Sequence, residues 1–140
     1  MEEVHIEEKV YKSIIANVRE TYPEEGCGVL LGDTEKHLIT DIKYLINSAD
    51  KADTHRFFRI DPLDFYRTEQ ELKGGKEIVG FYHSHPDKPA KPSCEDVRYM
   101  IPGLIYIILS VTDKGCAELR AYRKPVSDKE KIEAVNILLK

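Results

Sequence analysis

The sequence predicts an α/β fold in a single domain that spans residues 1–140. Three observations predict it. The chain opens with an amphipathic helical pattern, apolar β-rich segments then alternate with further helical ones, and no internal repeat, low-complexity tract or linker interrupts them. A chain of this length can bury about two-thirds of its unfolded surface, which is enough for one core.

Most elements can be placed in order along the chain. Apolar residues at helical spacing predict a first helix over 6–21, with Val10, Ile14, Ile15 and Val18 on its buried face. Strands are predicted at 28–31, 37–46, 78–82, 105–112 and 117–123. A helix is predicted from Asp61-Pro62 to about Leu72, with Pro in its first turn, and Gly74-Gly75 follows it. For 127–140 we favour a helix capped by Ser127 over a strand at 134–139.

Charge and composition exclude several classes of partner. The net charge is −4, and the 33% of residues that are charged have both signs interspersed, so neither nucleic acid nor a membrane surface is an expected partner. The longest apolar run, 104–109, is far too short to span a bilayer. The acidic start Met1-Glu2-Glu3-Val4 is unlike a signal peptide, and three cysteines are typical of a reducing compartment. We therefore expect a cytoplasmic protein.

The most informative motif is H-x-H-P-x6-S-x2-D, which contains His83, His85, Pro86, Ser93 and Asp96. Alternate residues of a strand share a face, so the Cα atoms of His83 and His85 should lie roughly 6.5 Å apart on one side. Pro86 should end the strand there. Ser93 is expected to be a helix N-cap, with Asp96 at the third helical position. Taken alone, S-x-x-D favours a simple capping box, but the preceding histidine pair favours a metal site.

His83, His85 and Asp96 supply three ligands, and three protein ligands plus water are typical of a catalytic zinc site. The cysteines have no C-x-x-C spacing, which argues against a cysteine-rich zinc cage. Cys27 lies in an apolar strand, where a small buried thiol is ordinary. A closed site with Cys27 as fourth ligand stays open as an alternative, and it predicts that Cys27→Ser abolishes zinc retention.

A zinc site that hydrolyses an amide also needs a base. Zinc lowers the pKa of a bound water from roughly 15.7 to about 7, and a carboxylate can then carry its proton to the leaving amine. Among the 25 acidic residues, Glu24 and Glu25 have the best context, between the first helix and an apolar strand. Glu25 is closer to the strand, so we expect it to be inside and to be the base.

These residues resemble the two motifs of the JAMM/MPN+ (JAB-domain) zinc metallopeptidases, of the small prokaryotic single-domain type. P-x-E-x-C-G-x-L-x-G is matched over 23–32 and G-x-x-H-S-H-P-x6-S-x2-D over 80–96, and the likeness extends over residues 5–123. The resemblance implies a mixed, mostly antiparallel sheet flanked by helices, in a cytidine-deaminase-like architecture. It also implies one Zn²⁺ per chain on His83, His85 and Asp96, Glu25 as general base and then acid, and Ser93 as an oxyanion-stabilising hydroxyl.

The resemblance implies a substrate class as well. Small prokaryotic members hydrolyse the amide bond after the C-terminal glycine of a ubiquitin-like sulfur carrier and release an attached cysteine or peptide. The expected partner is therefore a ubiquitin-like or sulfur-carrier protein that ends in Gly-Gly, bound as an extended tail along a sheet edge. A ubiquitin-type deconjugating isopeptidase and a non-catalytic MPN scaffold module are the alternatives. Arg56, Phe58 and Tyr82 are candidates for substrate binding, although a packed ring is the simpler interpretation of Tyr82.

Overall fold

A computed structural model describes residues 3–45, 62–72, 74–127 and 131–140. These ranges contain seven strands: β1 (Glu3–Ile6), β2 (Cys27–Asp33), β3 (Leu38–Leu45), β4 (Glu77–Pro86), β5 (Ile105–Thr112), β6 (Gly115–Arg123) and β7 (Glu133–Leu139). They also contain three helices: α1 (Glu8–Thr21), α2 (Pro62–Glu71) and α3 (Cys94–Tyr99). None of these helices is long and apolar enough to cross a membrane.

The strands hydrogen-bond in the order β1-β3-β2-β4-β5-β6-β7 and close into a barrel through β1 and β7. Four of the pairings are antiparallel: β2–β3, β2–β4, β5–β6 and β6–β7. The pairs β1–β3, β1–β7 and β4–β5 are parallel. The predicted α/β class, with a mixed and mostly antiparallel sheet flanked by helices, is confirmed.

The two faces of the sheet bury separate apolar clusters. On one face lies α1, whose buried Val10, Ile14 and Val18 pack in a cluster with Tyr82 of β4. Burial of such side chains stabilises the fold by about 1.5–3 kcal/mol each. The second cluster contains Phe81 of β4, together with Val29, Leu31, Met100 and Tyr106. Adjacent residues of β4 thus face opposite sides, and the side of Phe81 is the one on which His83 and His85 follow.

The predicted C-terminal helix is wrong. Residues 133–139 form β7, which pairs antiparallel with β6 and parallel with β1, and Ser127 lies in a turn instead of capping a helix. The strand that we considered as the alternative is the one that forms. Only Val135 of β7 is buried, so the apolar pattern of β7 gives little local indication of a strand. Pairing with two distant strands decides the conformation of β7.

Candidate metal centre and active site

The two histidines of the motif lie at the end of β4. Both side chains are buried, with 2% of His83 and 6% of His85 exposed. β5 pairs with β4 as far as Pro86, opposite Val111, but β2 pairs with it only as far as His83, opposite Cys27. The parallel β5 partner therefore holds both histidines in place, whereas the ladder with β2 ends before His85.

The third ligand candidate is presented by α3. Ser93 is the N-cap: its Oγ accepts from the Asp96 N–H at 3.0 Å, and its own N–H donates to Asp96 Oδ2 at 2.8 Å. This is the capping box that the sequence allowed. The same carboxylate also contacts both histidines, so the cap fixes the orientation of Asp96 toward β4. The capping and metal-site interpretations are therefore compatible.

The three side chains converge on one point. His83 Nε2 and His85 Nε2 are 3.2 Å apart, His83 Nε2 lies 3.1 Å from Asp96 Oδ1, and His85 Nε2 lies 3.1 Å from Asp96 Oδ2. A tetrahedral zinc ion with bonds of about 2.0–2.1 Å separates its ligand atoms by roughly 3.4 Å. Two imidazole nitrogens and a carboxylate at this spacing therefore fit a zinc ion with a position left for water.

The loop after β4 sets the tautomer of His85. His85 Nδ1 lies 2.9 Å from the Pro89 carbonyl oxygen, which can only accept, so Nδ1 carries the proton of the neutral ring and Nε2 is the nitrogen left to bind a metal. That loop is itself held on both sides. The Ser110 hydroxyl donates to the Lys88 carbonyl at 2.6 Å, and the Tyr122 hydroxyl donates to the Ala90 carbonyl at 2.6 Å. Side chains of β5 and β6 thus support the orientation of His85 indirectly.

Without a metal, the three groups perturb one another strongly. Burial alone would raise the pKa of Asp96, but hydrogen bonds from His83 and His85 hold it well below its usual range. Burial lowers the pKa of His83, and the nearby Asp96 carboxylate only partly offsets this. For His85, burial also lowers the pKa, but hydrogen bonds to Asp96 and to the Pro89 carbonyl outweigh it and raise the pKa. The site thus keeps Asp96 anionic and available to a cation.

Glu25 comes from the loop between α1 and β2. It is 3% exposed, whereas Glu24 is partly exposed, as expected from its greater distance from the strand. Burial raises the pKa of Glu25 to about 8; the charge of His85 lowers it and that of Asp96 raises it further. Glu25 is therefore close enough to His85 and Asp96 for their charges to shift its pKa. A carboxyl whose pKa lies near neutrality is suited to both accept and donate a proton.

The cysteine positions favour an open site. In the described ranges, the ligand atoms within 4.8 Å of one another belong to His83, His85 and Asp96, and the Cys27 thiol is not among them. Cys27 lies opposite His83 in the sheet, but its Sγ contacts the Leu45 carbonyl oxygen at 3.7 Å. None of the three cysteines forms a disulfide, and Cys94 on α3 is exposed.

The substrate-binding candidates fall into two groups. Arg56 and Phe58 lie outside the described residues. Tyr82 is fully buried, and its hydroxyl donates to Asn17 Oδ1 at 2.6 Å, so the candidate role is corrected to a packed ring.

Sequence reasoning missed Ser84, a fully buried polar residue whose Oγ accepts from the Gly26 N–H. A serine between two histidines at the end of an apolar strand was the available signal.

Comparison with known proteins gives concordant matches. Residues 7–123 match the family described as prokaryotic homologs of the JAB domain. The chain is 35% identical over 104 residues to the desampylase of Haloferax volcanii, and the matched region covers 70% of this chain and 73% of that protein. It is 30% identical over 118 residues to the CysO-cysteine peptidase of Mycobacterium tuberculosis, covering 79% and 75%. A solution structure from Desulfitobacterium hafniense superposes with a TM-score of 0.82 at 26% identity, covering 98% of this chain and 92% of that one.

Proposed function

Because the chain belongs to the family of prokaryotic homologs of the JAB domain, we propose that it is a zinc metallopeptidase of the JAMM/MPN+ type. Its substrate would be the amide bond after the C-terminal Gly of a ubiquitin-like protein of the sulfur-carrier type. One observation carries the proposal: His83, His85 and Asp96 present their ligand atoms 3.1–3.2 Å apart beside the buried carboxyl of Glu25. In this proposal, residues 1–140 form one catalytic domain.

Each residue of the site has a distinct role in the proposal. One Zn²⁺ held by His83, His85 and Asp96 would acidify water and polarise the substrate carbonyl. Glu25 takes a proton from the attacking water and passes it to the leaving amine nitrogen. The hydroxyl of Ser93 accepts from the Asp96 N–H, so its own hydrogen remains available to donate to the oxygen on which negative charge develops.

The name of one relative supports a small leaving group, cysteine, attached to a carrier protein. One relative is a CysO-cysteine peptidase and the other a desampylase. Lys88 lies on the loop beside the site, and its positive charge lowers the pKa of Glu25. A cation at this rim favours substrates with a negative charge near the scissile bond. Cys27, Cys94 and Cys116 are not joined in disulfides, which supports a location in the cytoplasm.

The scaffold alternative is disfavoured by the site itself. Burying an acid and two histidines is costly unless their interactions offset it, and a scaffold gains nothing from a carboxyl held beside them. A ubiquitin-type isopeptidase would use the same ligands, so this alternative differs only in the protein that is recognised.

Mass spectrometry of defined conjugates tests the proposal. Zinc-loaded protein is incubated with a sulfur carrier whose Gly-Gly end is linked to cysteine and, separately, with a ubiquitin chain. We expect the carrier to be trimmed to its Gly-Gly end, and we expect EDTA or Asp96→Ala to stop this. Cleavage of the ubiquitin chain alone would support the isopeptidase instead. A zinc-bound protein that cleaves neither conjugate would support the scaffold.

A further inference from the structure

A buried side-chain hydrogen bond ties the loop that carries Glu25 to the end of β4. The Gly26 N–H donates to Ser84 Oγ at 2.8 Å, and the Ser84 N–H donates to the Gly26 carbonyl oxygen at 3.0 Å. In an ordinary antiparallel pair, both bonds would join backbone to backbone. Here the hydroxyl of Ser84 replaces one backbone acceptor.

This substitution occurs where the two strands separate. The ladder between β2 and β4 ends at Cys27 opposite His83, so Gly26 is the first residue to leave it. The hydroxyl satisfies a buried amide that would otherwise lose its partner, which is unfavourable. Glu25 immediately precedes Gly26, so the bond fixes the backbone of Glu25 relative to the strand that carries the histidines.

A second contact ties the other end of the same loop. The Tyr22 hydroxyl, just after α1, lies 3.0 Å from both carboxylate oxygens of Asp87, and Asp87 follows His85 by two residues. The Asp87 N–H donates to the Val111 carbonyl at 2.7 Å, which anchors it to β5. Both ends of the loop over residues 22–26 are therefore bonded to the segment that presents the metal ligands.

We propose that Ser84, the residue between the two histidines, is a positioning residue that holds Glu25 in place beside the metal ligands. The proposal rests on the proposed function, in which Glu25 is the base. A displacement of a reacting group by about 1 Å can cost about 10²-fold in rate. Ser84→Ala should therefore lower kcat by about 10- to 100-fold and change KM by less than about twofold, because ground-state binding is retained. Zinc content should stay at one per chain.

Amide exchange measured by NMR gives a readout that does not depend on activity. In the metal-free protein, Ser84→Ala should speed exchange at the Gly26 amide by at least about tenfold relative to wild type. Ser84→Thr keeps the hydroxyl and should restore both this protection and kcat. Tyr82→Phe is the matched control, since it removes a buried hydroxyl from the same face of the same strand, one that donates to Asn17 Oδ1 and makes no bond to Gly26. It should leave kcat and Gly26 exchange unchanged.

Several results would overturn the proposal. One is wild-type kcat in Ser84→Ala, another is a loss of kcat that follows a loss of zinc, and a third is an equal loss of kcat in Tyr82→Phe. If Ser84→Ala does not fold, the wild-type protein decides, because a Gly26 amide that exchanges as fast as an unprotected one contradicts the bond. Failure of the proposed function looks different: Glu25→Gln itself would then be as active as wild type.

Discussion

Glu25→Gln is expected to stabilise the metal-free protein above pH 5. Burial raises the pKa of Glu25 from 4.5 to about 8, so between these values the folded protein keeps a proton that the unfolded chain has released. Because the folded state binds more protons in this range, the free energy of unfolding falls as the pH rises, and the decrease ends above the folded pKa. Glutamine has no proton to lose, so the variant escapes this loss.

The structure sets the size of the effect. A tenfold change in a protonation equilibrium corresponds to about 1.4 kcal/mol, so a pKa raised from 4.5 to about 8 destabilises the folded protein by at most about 5 kcal/mol at pH 8. At pH 7 the same reasoning gives an upper limit of about 3 kcal/mol. The pKa of about 8 already includes the opposing effect of the His85 charge, so these limits need no further reduction for it.

Denaturant unfolding of chelator-treated protein at pH 5, 6, 7 and 8 measures the effect. The advantage of Glu25→Gln over wild type should grow by up to about 1.4 kcal/mol per pH unit over this range. The neighbouring Glu24 is partly exposed, so Glu24→Gln controls for the loss of a negative charge at this loop. If the difference in the free energy of unfolding between wild type and Glu25→Gln stays constant within about 0.5 kcal/mol from pH 5 to pH 8, the buried-acid reasoning is refuted.

Three further predictions concern the ligands, the cap and the sheet. His83→Ala and Asp96→Ala should each lose zinc in elemental analysis while Cys27→Ser keeps it; zinc loss in Cys27→Ser would revive the closed site. Ser93→Ala should lower the free energy of unfolding by about 1 kcal/mol and kcat by about 10²-fold or more. Ser93→Asp keeps a capping side chain, so it should restore the stability but not the rate. A Ser93→Asp variant with wild-type kcat would exclude the role of the hydroxyl. Gly80→Ala would place its Cβ 1.7 Å from the Ile105 carbonyl oxygen. Thermal unfolding should therefore show that the free energy of unfolding falls by about 3 kcal/mol or more. A wild-type melting temperature would contradict the close approach of β4 and β5.

The convergence of His83, His85 and Asp96 was predictable from the sequence because its geometry is local. Strand alternation brings His83 and His85 to one face, and the cap fixes Asp96 on the following helix, all within one strand–loop–helix unit. Glu25 could be ranked above Glu24 by its proximity to an apolar strand, and its burial agrees with that choice. Its role as the base stays a prediction.

The features that the sequence did not reveal depend on distant pairing. β1 has four residues and is held between β3 and β7, neither of which is adjacent in the chain. For β7, local propensity favoured a helix, but the partners β6 and β1 impose a strand. The bond from Gly26 to Ser84 joins residues 58 positions apart, and no spacing rule anticipates it.

The activity of zinc-loaded Glu25→Gln on the carrier–cysteine conjugate tests the central claim most directly. The account predicts one zinc per chain and a kcat about 10² to 10⁴-fold below that of wild type, as expected when a general acid–base is lost. A zinc-loaded Glu25→Gln that cleaves the conjugate at the wild-type rate would contradict it.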